Sequence, residues 1–75
     1  MTQTYIHSDG TREIKDVMAL DAIEVLIDEA GITEDVDCDI HRLSKWGVKI
    51  NLIKGLCLHA SFKINARTGK FERLV

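Results

Sequence analysis

Two short runs hold the side chains best suited to chemistry, Cys38-Asp39-Ile40-His41 and Cys57-Leu58-His59. Two thiols and two imidazoles are a ligand set for structural zinc. Strand alternation opposes that reading. It sends Cys38 inward and His41 outward, so both cannot reach one ion from a regular strand. Nor does a glycine or proline flank these residues to make the turns on which such ligands sit. A subset on the outer face (Asp39, His41, Cys57, His59) is the only donor group left, and spacing is its sole warrant. No metal or other cofactor is expected. Cys57 and His59 share a face as a nucleophile and its base would. A catalytic pair also needs a cleft, an oxyanion donor and an orienting third group. A flat sheet face supplies none of these, so the chain reads as a non-enzyme. His7 has no nearby partner in the sequence, and Glu34-Asp35-Val36-Asp37-Cys38-Asp39 lacks the glycine and distal glutamate of a calcium loop.

With no reaction indicated, charge becomes the main functional signal. Residues 1–40 hold eleven of the 12 acids and only two bases, Arg12 and Lys15. Residues 41–75 hold the other eight bases and one acid, Glu72. The halves therefore carry −9 and +7 under a total of −2. A folded surface built this way has two poles, which suits binding.

Seventy-five residues make one domain, 1–75, with a single small core. A hydrophobic content of 45% is ordinary for a globular chain. No apolar run reaches the ~18 residues that span a membrane. Met1-Thr2-Gln3-Thr4 lacks the basic start of a signal peptide, and two cysteines are too sparse for a disulfide scaffold. The expected compartment is the cytoplasm.

The elements follow from periodicity. Asp9-Gly10 predicts a two-residue hairpin turn that sets Tyr5 opposite Ile14; the competing reading starts a helix at Thr11. Residues 16–30 predict the one helix. Asp16 caps it, and Ala19, Ala22, Ile23, Leu26, Ile27 and Ala30 make its buried stripe. Gly31 closes it, with Ile32 folding back on Ile27 in a Schellman motif. From Val36 the period becomes two. Val36, Cys38 and Ile40, then Trp46 to Leu52, then Leu56 to Ile64 place alternate apolar residues on one face. Ile53-Lys54-Gly55 predicts a three-residue hairpin loop that pairs Leu52 with Leu56, Ile50 with Leu58, Val48 with Ala60 and Trp46 with Phe62. Residues 65–70 are a second turn before a last strand around 71–75, where Arg73 suggests an edge or a bulge. The fold class is α+β, one helix packed on an antiparallel sheet of three to five strands.

Two surfaces result. On the helix, Asp21, Glu24 and Asp28 line the side away from the core, with Val17, Met18 and Val25 beside them as a second apolar patch. This is the expected partner-binding surface. Its charges set rate and specificity, and its apolar residues supply contact. The outer sheet face carries Lys49, Lys63 and Lys70, with Arg67 on the turn, and could follow a phosphate backbone. Against nucleic acid stand the negative total and the absence of an exposed stacking ring, since Trp46 and Phe62 are assigned to the core. The reading is therefore a non-catalytic protein-binding module, a small regulator or inhibitor of the phage or mobile-element accessory kind. Its partner is a protein with a basic surface. The alternative is a nucleic-acid-binding domain. A homodimer through Val17 and Val25 is a further use of the two poles.

Overall fold

The structure, a computed structural model, describes residues 4–6, 12–17 and 20–75. Among these residues the chain forms one helix and two antiparallel sheets, the α+β class expected. A two-stranded ribbon comprises β1 (Thr4–Ile6) and β2 (Arg12–Ile14). The helix α1 (Leu20–Ala30) follows. A four-stranded meander in chain order completes the domain: β3 (Asp37–Arg42), β4 (Gly47–Lys54), β5 (Cys57–Asn65) and β6 (Phe71–Arg73).

The core lies between α1 and the inner face of β4 and β5. Val48, Ile50 and Leu52 alternate on β4, and Ala60, Phe62 and Ile64 on β5; all six are buried. From the helix, Ala22 and Leu26 are fully buried one turn apart, and Ile23, Ile27 and Ala30 pack half-buried around them. Ile14 and Val17 close the core from the segment between β2 and α1. Phe71 meets Phe62 edge to face at 6.1 Å between ring centroids. The helix ends as the sequence predicts. Gly31 has a φ of 71°, its N–H donates to Asp28 O at 3.0 Å, and Ile32 N–H donates to Ile27 O at 3.1 Å, the two bonds of a Schellman motif.

Four expectations need correction. The helix starts at Leu20 and not at Asp16, because Val17 is used in a turn as a buried core residue. Tyr5 pairs with Glu13, and Ile14 with Thr4, a register one residue away from that of a two-residue turn. The shift leaves Ile14 fully buried and Tyr5 exposed; Asp9-Gly10 and Thr11 lie outside the described residues, as do Met18 and Ala19.

The β4–β5 register is displaced by four residues. Val48 pairs with Ile64, Ile50 with Phe62 and Leu52 with Ala60. The tip is a two-residue turn, Gly55-Leu56, with Gly55 at φ 62° in the first central position, the pattern of a type II′ turn. A bulge then restores the face. Ile53 pairs with Leu58 and Leu52 with Ala60, so His59 is the extra residue on β5. A displacement of four preserves alternation, which is why the same residues stay inside. Leu56 and Leu58, drawn into the core by the expected pairing, are exposed at the tip. Trp46 is the fourth correction. It lies in the β3–β4 loop at 44% exposure, because its register slot across from Phe62 is filled by Ile50.

Among the described residues the ribbon joins the main sheet where β2 meets the β5–β6 turn. Ile14 N–H donates to Gly69 O at 2.7 Å, and Glu13 bridges to Lys70. Asn65 shapes the turn that presents Gly69: its side-chain oxygen accepts from Arg67 N–H at 2.9 Å and from Thr68 N–H at 3.2 Å. Gly69 is buried at φ 77°, and a Cβ there would stand 1.8 Å from Ile14 O. At Gly55, with φ 62°, a Cβ would meet nothing within 4 Å. Gly55→Ala is expected to cost about 1 kcal/mol through backbone strain alone. Gly69→Ala carries the same strain plus a backbone clash and is expected to cost at least ~2 kcal/mol more. Chemical denaturation of both variants checks this; equal losses would show that the Ile14–Gly69 approach does not limit the fold.

Candidate functional site

The helix acids and the sheet lysines lie on different sides, but the outer sheet face is mixed: Asp37 and Asp39 on β3 and Glu72 on β6 share it with Lys49 and Lys63. The helix covers the inner sheet face, so its solvent side looks away from the sheet. Asp21, Glu24 and Asp28 are all exposed there. The expected apolar neighbours fare differently. Val17 is in the core and Val25 is half-buried against it, so neither offers the free patch expected of it. Met18 lies outside the described residues.

The structure supplies another apolar floor that periodicity did not reveal. After Gly31 the chain turns back along the helix end, and an open groove of about 310 Å³ forms between α1 and residues 32–36. Ile27, Ile32 and Val36 line it, each half-buried. Glu24, Asp28, Glu34 and Asp35 surround them. The one sequence signal for this groove was the Schellman closure, which fixes where Ile32 returns.

Glu34 is the most constrained of these acids. Its Oε2 accepts from Lys54 Nζ at 2.7 Å, and its Oε1 lies 3.1 Å from His59 Nε2. The Lys54 hydrogen bond, then its charge, hold the Glu34 carboxyl below its ordinary range, and the same contacts raise Lys54. Sequence spacing alone did not find this cluster, because the His59 bulge and the β4–β5 tip create it. A second tie, Arg12 to Glu29, joins β2 to the helix end. No ion pair among the described residues engages Glu24 or Asp28.

On the outer sheet face Lys49 pairs directly with Lys63 across β4 and β5. His41 continues that row on β3 and Glu72 on β6. Lys70 and Arg67 are exposed at its β5–β6 end. The basic residues named from sequence are thus brought together, though Glu72 and Asp39 interrupt them. Trp46 adds an exposed ring at the same end of the sheet. Its carbonyl accepts from Ala66 N–H at 2.6 Å, and Lys45 Nζ sits 5.4 Å from its centroid.

The chemistry-bearing residues do not converge. His41 Nε2 lies 2.7 Å from Asp39 Oδ2, whose carboxyl is lowered chiefly by that hydrogen bond. His59 faces Glu34 instead. Cys38, expected in the core, is exposed at the β3 edge, because the helix does not reach that far. Partial burial, and secondarily Asp39, raise its thiol and so reduce the thiolate at neutral pH. Among the described residues no three His, Cys, Asp or Glu side chains gather as a metal site would require. No described helix is long and apolar enough to cross a membrane. No protein-family model, curated protein or solved structure matches this chain.

The Glu34–Lys54 contact has a pH signature. A depressed carboxyl contributes stability above its unfolded value of 4.5 and loses it as pH falls through the lower folded value. The raised Lys54 contributes below 10.5 and loses it as pH rises through the higher folded value. The contribution is small, as for other exposed pairs. Glu34→Gln is expected to lower the melting temperature slightly at neutral pH, with the gap closing as pH falls from 4.5 through the lower folded value. Calorimetry across pH checks this; a gap that widens in acid would reverse the assignment.

Proposed function

We propose that this chain is a non-catalytic protein-binding module, a small regulator or inhibitor that docks on a basic protein surface. The observation that carries the reading is the groove beside α1. There Glu24, Asp28, Glu34 and Asp35 ring the half-buried Ile27, Ile32 and Val36. Acids alone steer an encounter, while an adjoining apolar floor gives the burial that holds it. The groove thus takes over the part first given to Val17, Met18 and Val25, and the acidic row Asp21, Glu24 and Asp28 keeps its part. Size and charge suit a cytoplasmic accessory protein of a phage or mobile element acting on host machinery.

The second reading is nucleic-acid binding through Lys49, Lys63, Arg67 and Lys70. The like-charged pair Lys49–Lys63 favours it, since lysines directly opposite each other repel and an anion between them would relieve this. The exposed Trp46 supplies a ring for stacking. The negative total and the intervening Glu72 weigh against it.

Affinity capture from the native cell or host separates the two. The intact chain is expected to retain a protein partner that Asp21→Lys/Glu24→Lys/Asp28→Lys loses by at least about tenfold, the scale of removing close charge complementarity. Unchanged capture by that variant would refute the helix surface. A gel shift at low salt tests the second reading: retardation that weakens steeply with salt and with Lys49→Glu/Lys63→Glu supports it, and no retardation removes it.

A further inference from the structure

β3 is an edge of the four-stranded sheet, and among the described residues no strand pairs with its outer side. At the opposite edge β6 spans three residues, and the turn before it is bridged by β2. β3 has six residues in unbroken register with β4 and no proline or bulge, so its backbone is regular enough to pair, and Asp37, Asp39 and Arg42 are the charges that a partner strand must match. Backbone bonding shows which of its groups are free. Leu43 N–H donates to Gly47 O at 2.8 Å, which makes 43 and 47 a hydrogen-bonded pair. Alternation along the ladder then turns Asp37, Asp39 and His41 toward β4, and Cys38, Ile40 and Arg42 outward. The bond from Ala66 N–H to Trp46 O fixes the same phase from the other side of β4.

The core face of this edge is also unfinished. Ile40 pairs with buried Ile50, yet it is 52% exposed. Leu20, at the start of α1, is 86% exposed. Ile40, Leu20 and Ile23 form the mouth of an apolar cleft of about 70 Å³ floored by Val17, Val48 and Ile50.

We propose that the occupant of this edge is a second copy of the chain, added antiparallel about a two-fold axis at Ile40. The register follows from the strand itself. With Ile40 opposite Ile40 of the second copy, Cys38 stands opposite Arg42, and all three outward-facing positions become hydrogen-bonded pairs. Asp39 of each copy then stands opposite His41 of the other, in the closely spaced non-hydrogen-bonded positions. Both lie on the outer face, so the contact places each carboxylate between two imidazoles, its own at 2.7 Å and the partner's. Sliding the pairing two residues one way sets Asp39 on Asp39; sliding it the other way sets His41 on His41. A one-residue slide would turn the core faces apart. Only the Ile40-centred register is complementary in backbone, charge and face. It gives a continuous eight-stranded sheet with both helices on one side, and each Ile40 lies at the mouth of the other copy's cleft. This use of β3 is independent of the acidic groove.

Sedimentation equilibrium of the intact chain tests it, over concentrations from about 1 μM to about 1 mM, the affinity range of a contact at the small end of interface size. A reversible monomer–dimer equilibrium is expected. Ile40→Lys is expected to weaken it at least about tenfold by setting two lysines at the axis. Asp39→Lys is expected to weaken it likewise, and Asp39→Lys/His41→Asp to recover it, because the two-fold register alone sets 39 against 41. Circular dichroism of each variant establishes folding. A monomer mass across the whole range overturns the proposal, and so does a dimer that folded Ile40→Lys leaves intact. Should Ile40→Lys not fold, the wild-type mass and the charge-exchange pair decide. Failure of the exchange to restore association overturns the register.

Discussion

An 11-residue helix about 10–12 Å across cannot cover four strands spaced about 4.8 Å apart. That shortage of cover organises the molecule. The helix lies over the strands with the most apolar inner residues, β4 and β5, and seals Ile50, Leu52, Ala60, Phe62 and Ile64. On the β6 side the gap is closed by Ile14, which reaches the core because Gly69 lets the two backbones touch. On the β3 side nothing comparable arrives among the described residues, and Cys38 and Ile40 stay exposed on what is formally the core face.

This also explains how far the sequence could be read. Alternation along β4 and from Ala60 to Ile64 reports the face of each residue and survives any register shift by an even number. The buried apolar residues of β4 and β5 were therefore legible although their pairing was displaced by four, whereas buried Ser61, on the face read as polar, was not. The tip could not be read the same way. Gly55 fits the last position of a three-residue loop and the first central position of a type II′ turn, and the choice depends on a bulge at His59 that no local signal marks. Trp46 and Cys38 show a different limit. Alternation gives the direction of a side chain, but burial depends on what lies over it, and at the edge of the sheet the helix does not reach.

The acidic row at Asp21, Glu24 and Asp28 was legible because helical period and charge both mark it. The groove beside it was not, since its floor combines Ile27 from the helix with Ile32 and Val36 from the returning chain. Val17 misled for a related reason. Helical phasing from Asp16 puts it on the outer side, whereas the chain spends this residue in a turn that closes the core before the helix begins. Charge contributes little to holding the fold, because exposed pairs such as Glu34–Lys54 and Arg12–Glu29 are screened by solvent. Its larger effect is on association, where a one-signed surface acts on an approaching partner before contact.

Small size gives association a structural value as well. A chain of 75 residues buries a smaller fraction of its surface than a larger domain and has little stability to spare. A partner that covers Ile40 and Leu20 supplies apolar burial that one helix cannot, at positions where the monomer leaves them 52% and 86% exposed. The acidic groove lies at the opposite end of α1, formed by Glu24 to Asp28 and the chain after Gly31, whereas the cleft beside β3 begins at Leu20. The two surfaces share Ile23's helix but none of their lining residues. A two-fold dimer along β3 carries two such grooves on the helical side of one sheet, each ending at Val36 beside the start of β3. Bivalent display of this kind raises apparent affinity for a partner with repeated basic sites without any new contact within either groove.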